Sequence, residues 1–222
     1  MVGRMKLTDL NLIEIFQQNE FENLVTNFRE KHFAKKEILF MEGTGQNLVY
    51  IVKKGKVKIY LTYEEKEFTL TILEKGDIYA THTRGFAQAL EDCSILTIEA
   101  SEFQRLLKEV PSLSMVMVKV LGDCLRNSID IIEGLAFKQA ESRIAEFLYK
   151  LTIRRGKETN SGVVLKLSLT TEEIAALIGS TRQTVSSLIN GLEKEGIIER
   201  IEKKNILIKK VEKLEEMAKG MN

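Results

Sequence analysis

Apolar residues recur along this chain with several periods, and each change of period marks a region. From Thr8 to Lys31 they fall at helical spacing, Leu12, Ile15 and Phe16 on one side and Leu24, Val25 and Phe28 on another, which predicts helix. From Phe33 the pattern shortens to strands at Ile38–Phe40, Leu48–Val52, Val57–Tyr63, Phe68–Leu73 and Ser94–Ala100, with Gly43–Gly45, Gly55 and Gly76 at the turns. Val57, Ile59 and Leu61 alternate with polar partners as half-buried antiparallel strands do, so residues 33–100 are expected to form a small barrel or jelly roll. A short helix is predicted over Glu102–Val110.

Pro111 to Gly134 has proline at one border, glycine at the other and no proline between, which predicts one long helix. Leu113, Met117, Val120, Cys124, Asn127 and Ile131 alternate spacings of four and three, the seam of a two-stranded coiled coil with one register-setting Asn. The same periodicity also suits a buried core helix. Val118, Leu121 and Leu125 form a second apolar edge with Gly122 beside it, a residue that costs about 1 kcal/mol in a helix and leaves room for a close approach.

Beyond the long helix, Gly134–Phe137 reads as a hinge and Lys138–Ile153 as an amphipathic helix. A polar loop at Arg154–Gly162 and a strand at Val163–Leu169 follow. Thr170–Glu195 carries the most specific pattern. Thr170 or Thr171 caps a first helix with Glu173 near the capping-box position, Gly179 makes a tight turn and Thr181 caps a second helix. Val185, Leu188, Ile189 and Leu192 pack that second helix inward, leaving Ser180, Arg182, Gln183, Ser186 and Ser187 outward, as on a recognition helix in a major groove. Arg182 suits guanine and Gln183 adenine, while Ser180 or Thr181 suits phosphate. Ile197–Lys210 reads as two strands around a charged turn, a wing whose Lys203 and Lys204 reach phosphates.

Charge agrees with this division. From Phe137 onward there are 16 Lys+Arg against 12 Asp+Glu, and before it 17 against 20, which puts a polyanionic partner on the C-terminal half. No run of eighteen apolar residues predicts a membrane span, and MVGRMKLTDL lacks the apolar core of a signal peptide, so a cytoplasmic protein is expected. Two cysteines, Cys93 and Cys124, and two histidines, His32 and His82, are too few for an iron–sulfur cluster, a Cys-rich zinc site or a three-His site. A β-roll enzyme using His82 as base or metal ligand lacks a second nearby histidine and a carboxylate pair, so no enzyme is expected.

A roll, a long helix and a winged helix-turn-helix, in that order, resemble the CRP/FNR family of bacterial transcription regulators over essentially the whole chain. The fold expected is α+β, with a β-roll (jelly-roll) sensor domain over 1–110, a dimerisation helix over 111–134 and a winged helix-turn-helix over 135–222. The resemblance implies a homodimer on a palindromic double-stranded operator, with RNA polymerase as a further partner. Many members carry Arg-Glu where this chain has Arg182-Gln183 and a further Arg at Ser187, so the operator sequence is expected to differ.

Members that bind cyclic nucleotide carry a Gly-Glu-Leu turn followed by Arg-Ser/Thr-Ala. After Gly76-Asp77 this chain reads IYATHTRGFAQALED, without either half and with Arg84 as the one candidate phosphate partner. Oxygen sensors use N-terminal cysteines, and residues 1–31 have none. What stands in the cassette's place is a loop centred on His82. Imidazole is a good haem iron ligand, and Met117, Val118, Leu121, Gly122 and Leu125 offer an apolar wall with a gap in it. A lone histidine is also compatible with a hydrogen-bonded bystander, and then the regulator answers to another small molecule without haem.

MKLTDLNL, YLTYEEKEFTLTILEKGDIYATHTRGFAQALED, MVKVLGD and TTEEIAALIGSTRQTVS are similar to the carbon monoxide-sensing haem activators of this family. That resemblance implies haem b (iron protoporphyrin IX), CO as effector and His82 as the retained iron ligand. It also implies that the N-terminal amine, on Val2 once Met1 is trimmed, is the ligand that CO displaces. The oxidised form in that group has a cysteine ligand two residues before the histidine, where this chain has Ala80.

Overall fold

The computed structural model describes residues 7–18, 21–41, 47–64, 66–167, 169–202 and 204–220, in two compact units that meet at Ser128 and Ile129. The first unit is the expected roll. Its strands are β1 (Arg29–Phe33), β2 (Ile38–Phe40), β3 (Leu48–Lys54), β4 (Val57–Tyr63), β5 (Lys66–Leu73), β6 (Ile78–Ala80), β7 (Phe86–Ala89) and β8 (Cys93–Glu99). They pair antiparallel in two four-stranded sheets, ordered β1-β8-β3-β6 and β2-β7-β4-β5.

The first sheet is covered on both faces, which explains why β3 and β8 read as continuous apolar runs. Val49, Ile51, Leu96 and Ile98 face a cluster with Leu12, Phe16, Phe103, Leu106, Leu113 and Val120. Leu48, Tyr50, Val52 and Ile95 face the second sheet and meet Val57, Ile59, Leu73, Ala87 and Ala89. The alternation is intact; both of its phases are buried.

The helix expected over Thr8–Lys31 is cut short. Among its described residues only α1 (Leu12–Phe16) is α-helical, a 3₁₀ turn spans Glu22–Asn27, and Arg29–Phe33 is a strand whose Arg29 pairs with Thr97 of β8. Arg29 to His32 are polar and exposed and only Phe33 is apolar, so no apolar alternation announced an edge strand held by backbone pairing. Helix α2 (Ala100–Glu109) leads into α3, Pro111–Phe137, 27 residues and about 40 Å long. Gly134–Phe137, read from sequence as a hinge, is therefore helical, and the break falls at Lys138–Gln139.

In the second unit, α4 (Ala140–Arg155) buries Ile144, Ala145, Leu148 and Leu151. A sheet ordered β11-β12-β10-β9 holds β9 (Lys157–Thr159), β10 (Gly162–Lys166), β11 (Ile198–Glu202) and β12 (Asn205–Ile208). The stretch expected to be a polar loop thus contributes β9 by pairing with β10, although its side chains are exposed. Helices α5 (Thr171–Ile178) and α6 (Arg182–Lys194) form the helix-turn-helix, and α7 (Val211–Ala218) packs Leu214 and Met217 inward. Among the described residues no helix is long and apolar enough to cross a membrane.

Candidate functional site

His82 sits in the turn between β6 and β7, and the residues on either side of it are tied down. Thr81 Oγ1 accepts from Leu48 N (2.8 Å) while Thr81 N donates to Leu48 O (2.9 Å). Thr83 Oγ1 donates to Ala80 O (2.8 Å). Both threonines spend their side chains on backbone, leaving the imidazole between them exposed to solvent and making no hydrogen bond to a described residue. β6 itself is fixed by pairing Val49 with Ala80 and Tyr50 with Tyr79.

The long helix presents two faces, and the one expected as a dimer seam is packed against the roll. Leu113, Val120 and Asn127 of the predicted seam are buried against this chain's own roll, with Met117 and Cys124 packed on the same cluster. Two polar residues on that face are also paired. Thr8 Oγ1 donates to Asp123 Oδ2 (2.8 Å), and Asn127 Nδ2 donates to Leu7 O (2.8 Å), so the buried polar atoms are satisfied by the N-terminal segment. The outward face carries Met115, Val118, Leu125, Ile129 and Ile132, all more than half exposed, with Gly122 among them. These positions step by three and four and make an uncovered heptad stripe, flanked by Leu121 at 67% exposure. The seam failed because a heptad pattern says which residues share a face but not what covers it.

Of the wall predicted for haem, Val118, Leu121, Gly122 and Leu125 share this open face; Met117 turns toward the roll. A Cβ added at Gly122 meets no atom within 4 Å. Inside the roll, Phe40, Tyr50, Ile59, Tyr79 and Phe86 line a cleft with a cavity volume of about 10 Å³. That is room for about one water molecule and too small for a macrocycle. An accessible imidazole and an apolar helix face with a side-chain-sized gap do suit haem, and those are the residues that fit it. Val2 lies outside the described residues.

Neither thiol is ionised near neutral pH. Burial, assisted by Glu37, Glu91 and Asp92, pushes Cys93 up to about 11. Burial, assisted by Asp123 and Asp77, does the same to Cys124, also to about 11. Both remain protonated at pH 7, and Ala80 has no donor atom.

The reader is built as the sequence implies. Thr170 Oγ1 accepts from Glu173 N (3.2 Å) while Glu173 Oε2 accepts from Thr170 N (2.7 Å), a complete capping box. Gly179 takes φ +63°, a conformation glycine adopts without steric cost, and turns the chain into α6. Thr181 caps α6 through Thr184 N (3.1 Å). Val185, Ile189 and Leu192 are buried; Thr181, Arg182, Gln183, Ser186 and Ser187 are exposed and Ser180 is half-buried. The wing is fastened to α6, because Arg200 Nη2 donates to Asn190 Oδ1 (2.8 Å) and Arg200 Nη1 pairs with Glu193 (3.3 Å). Sequence reasoning missed this tie, whose only signal was an arginine in the first strand of the wing. Lys203 lies outside the described residues; Lys204 is exposed.

Residues 142–217 match the Crp-like helix-turn-helix domain and residues 30–110 the cyclic nucleotide-binding domain. The Global nitrogen regulator of Nostoc sp. is 30% identical over 188 residues, covering 80% of this chain and 84% of that protein. The chain belongs to the CRP/FNR family of transcription regulators. Two solved CRP/FNR structures from Carboxydothermus hydrogenoformans are closer in sequence. A CooA mutant is 48% identical with a TM-score of 0.90, covering 96% of this chain and 98% of that one. The CO-dependent transcription factor CooA in its imidazole-bound form is 49% identical with a TM-score of 0.55, covering 97% and 99%. As a CRP/FNR protein with the Crp-like reader, the chain is a DNA-binding regulator, with a sensor unit of the kind that takes a small-molecule effector.

Proposed function

We propose that this protein is a haem-dependent, carbon monoxide-responsive transcription regulator acting as a homodimer on a palindromic operator, in concert with RNA polymerase. The observation that carries the reading is His82, displayed on a turn pinned by Thr81 and Thr83 where cyclic nucleotide-binding relatives place their phosphate cassette. It is supported by 49% identity, over nearly the whole chain, to a factor described as CO-dependent. Bound haem would supply an iron atom at which CO competes with a protein donor.

His82 would hold the group, since its turn is anchored to β3. The α-amino group of Val2 would be the second donor, the one that CO replaces; with a reference pKa near 8, about a tenth of such an amine is unprotonated at pH 7. Val118, Leu121, Gly122 and Leu125 would offer the group an apolar wall. Leu7 and Thr8, which follow the amine by five and six residues, are bonded to Asn127 and Asp123 of α3, so its release would be felt at the long helix. The response is a new pose of two α6 helices, about 34 Å apart, in which Arg182 and Gln183 face bases and Ser180, Thr181, Ser186, Ser187 and Lys203 approach the DNA around them.

A second reading has one observation in its favour. Tyr50 Oη is buried beside the aromatic cleft without a partner among the described residues, a donor that a small polar effector without haem would satisfy. Absorption spectra of the reduced protein with and without CO, for wild type and His82→Ala, decide between them. The haem reading expects a Soret band that shifts with CO and is displaced in the variant. A colourless protein after haem is supplied, or an unchanged spectrum in His82→Ala, sinks it.

A further inference from the structure

One side chain joins the end of the long helix to the turn before the recognition helix. Arg143, in the first turn of α4, donates from Nη1 to Lys138 O (2.6 Å), from Nε to Ile178 O (2.7 Å) and from Nη2 to Gly179 O (3.2 Å). Its stem lies over the last turns of α3, where a Cβ added at Gly134 would stand 3.9 Å from Arg143 Cδ. Ile178 and Gly179 carry carbonyls at the C-terminal end of α5, which lack intrahelical donors and favour a cation. Three acceptors from two segments converge on one planar fork, an arrangement that guanidinium fits and ammonium does not.

The Lys138–Gln139 linker is held at further points. Lys138 N donates to Gly134 O (3.2 Å), continuing the hydrogen-bonding of α3. Lys138 Nζ donates to Glu146 Oε2 (2.8 Å), and the other oxygen of Glu146 accepts from Lys150. Neither linker residue is glycine or proline. A segment placed where a hinge is expected is bound through its N–H, its carbonyl and its side chain.

We propose that Arg143 makes this linker a rigid joint, a positioning residue that fixes the recognition helix to the last turns of the long helix. Rotation of those turns then reaches the DNA-reading face undiminished instead of being absorbed by the loop. The inference rests on the chain's being a DNA-binding regulator and is independent of which effector it answers to.

Spin labels at the exposed positions Glu133 and Lys194, in the full chain carrying Cys93→Ala and Cys124→Ala, measure the separation of the ends of α3 and α6 by double electron–electron resonance. With labelled chain diluted in excess unlabelled chain, so that a dimer carries one labelled protomer, the expected result is one narrow distance distribution, broadened about twofold or more by Arg143→Ala and by Arg143→Lys, since a lysine reaches one carbonyl at a time. Arg143→Lys keeps the charge and most of the stem, so it is the deciding variant. An unchanged distribution overturns the joint, even if the melting temperature falls. Loss of the fold in Arg143→Lys overturns it too, because a joint can loosen without dismantling its domain. In operator titrations the ratio of affinities with and without CO should fall roughly tenfold while the CO spectrum is unchanged. Equal weakening in both states would mean a merely structural arginine. A protein without haem would end the CO reading and leave the distance measurement to decide this one.

Discussion

Gly76 takes φ +89°, and a Cβ there would run into Asn11, coming within 2.8 Å of its Cα. Asn11 is also the N-cap of α1, its Oδ1 accepting from Ile13 N and Glu14 N. Gly76→Ala therefore combines left-handed strain of about 1–2 kcal/mol with a lost cap of about 1 kcal/mol. A loss of roughly 2–3 kcal/mol in urea unfolding is the expected outcome. The two thiols test the opposite property, an unwillingness to ionise. With both raised to about 11, alkylation should be slow at pH 7–8 and accelerate as pH climbs toward 11, and the ferric protein should lack thiolate-type absorption. Ala80 was visible in the sequence; the burial that silences Cys93 and Cys124 was not, because it is made by side chains distant along the chain.

At the scale of elements, α3 decides how far sequence reading reaches. Its length and its apolar periodicity were legible, as were the capping box, the turn at Gly179 and the buried face of α6, since all of these are local. What was not legible is which of two interleaved stripes faces the roll, because Leu113 and Val120 carry the same apolar signal as Val118 and Leu125. With the outward stripe free, Leu125→Glu is expected to leave the fold of each chain intact and convert a dimer to a monomer in analytical ultracentrifugation. A large loss of monomer stability would instead place Leu125 in a core, against its 63% exposure. Strand β1 and β9 escaped for the converse reason: their side chains are polar, and the backbone partners that make them strands lie far along the chain or follow a turn.

At the scale of the whole molecule, the two units answer to different chemistry. In the DNA-reading unit, burial pushes the Glu146 carboxyl up, but hydrogen bonds from Lys138 and Lys150 outweigh it and hold it below its ordinary value. A carboxyl lowered in the folded state contributes stability above its unfolded pKa of about 4.3 and loses it as pH falls through the folded value. This unit should weaken below about pH 4, and Glu146→Gln should flatten that dependence at a cost of about 3 kcal/mol near neutrality. Unfolding curves from pH 3 to 7 check both. On the operator, Arg182→Ala should cost about 1–3 kcal/mol at the base it reads while non-specific binding changes little. The caps, turn and buried face of the helix-turn-helix were legible to single residues because they are contiguous over some 25 positions. In the sensor most of the strands were legible, but which face of α3 is left open was not, since the roll that covers the other face comes from residues distant along the chain.

β3 and β8 stand as a party wall between two interiors, with Ile51 on one side and Tyr50 and Val52 on the other. Neither room can be refurnished without the partition shifting. Truncations on opposite sides, such as Ile51→Ala with Val52→Ala, should depart from additivity although the two side chains never touch. Amide hydrogens of this partition should be among the last in the sensor to exchange with solvent.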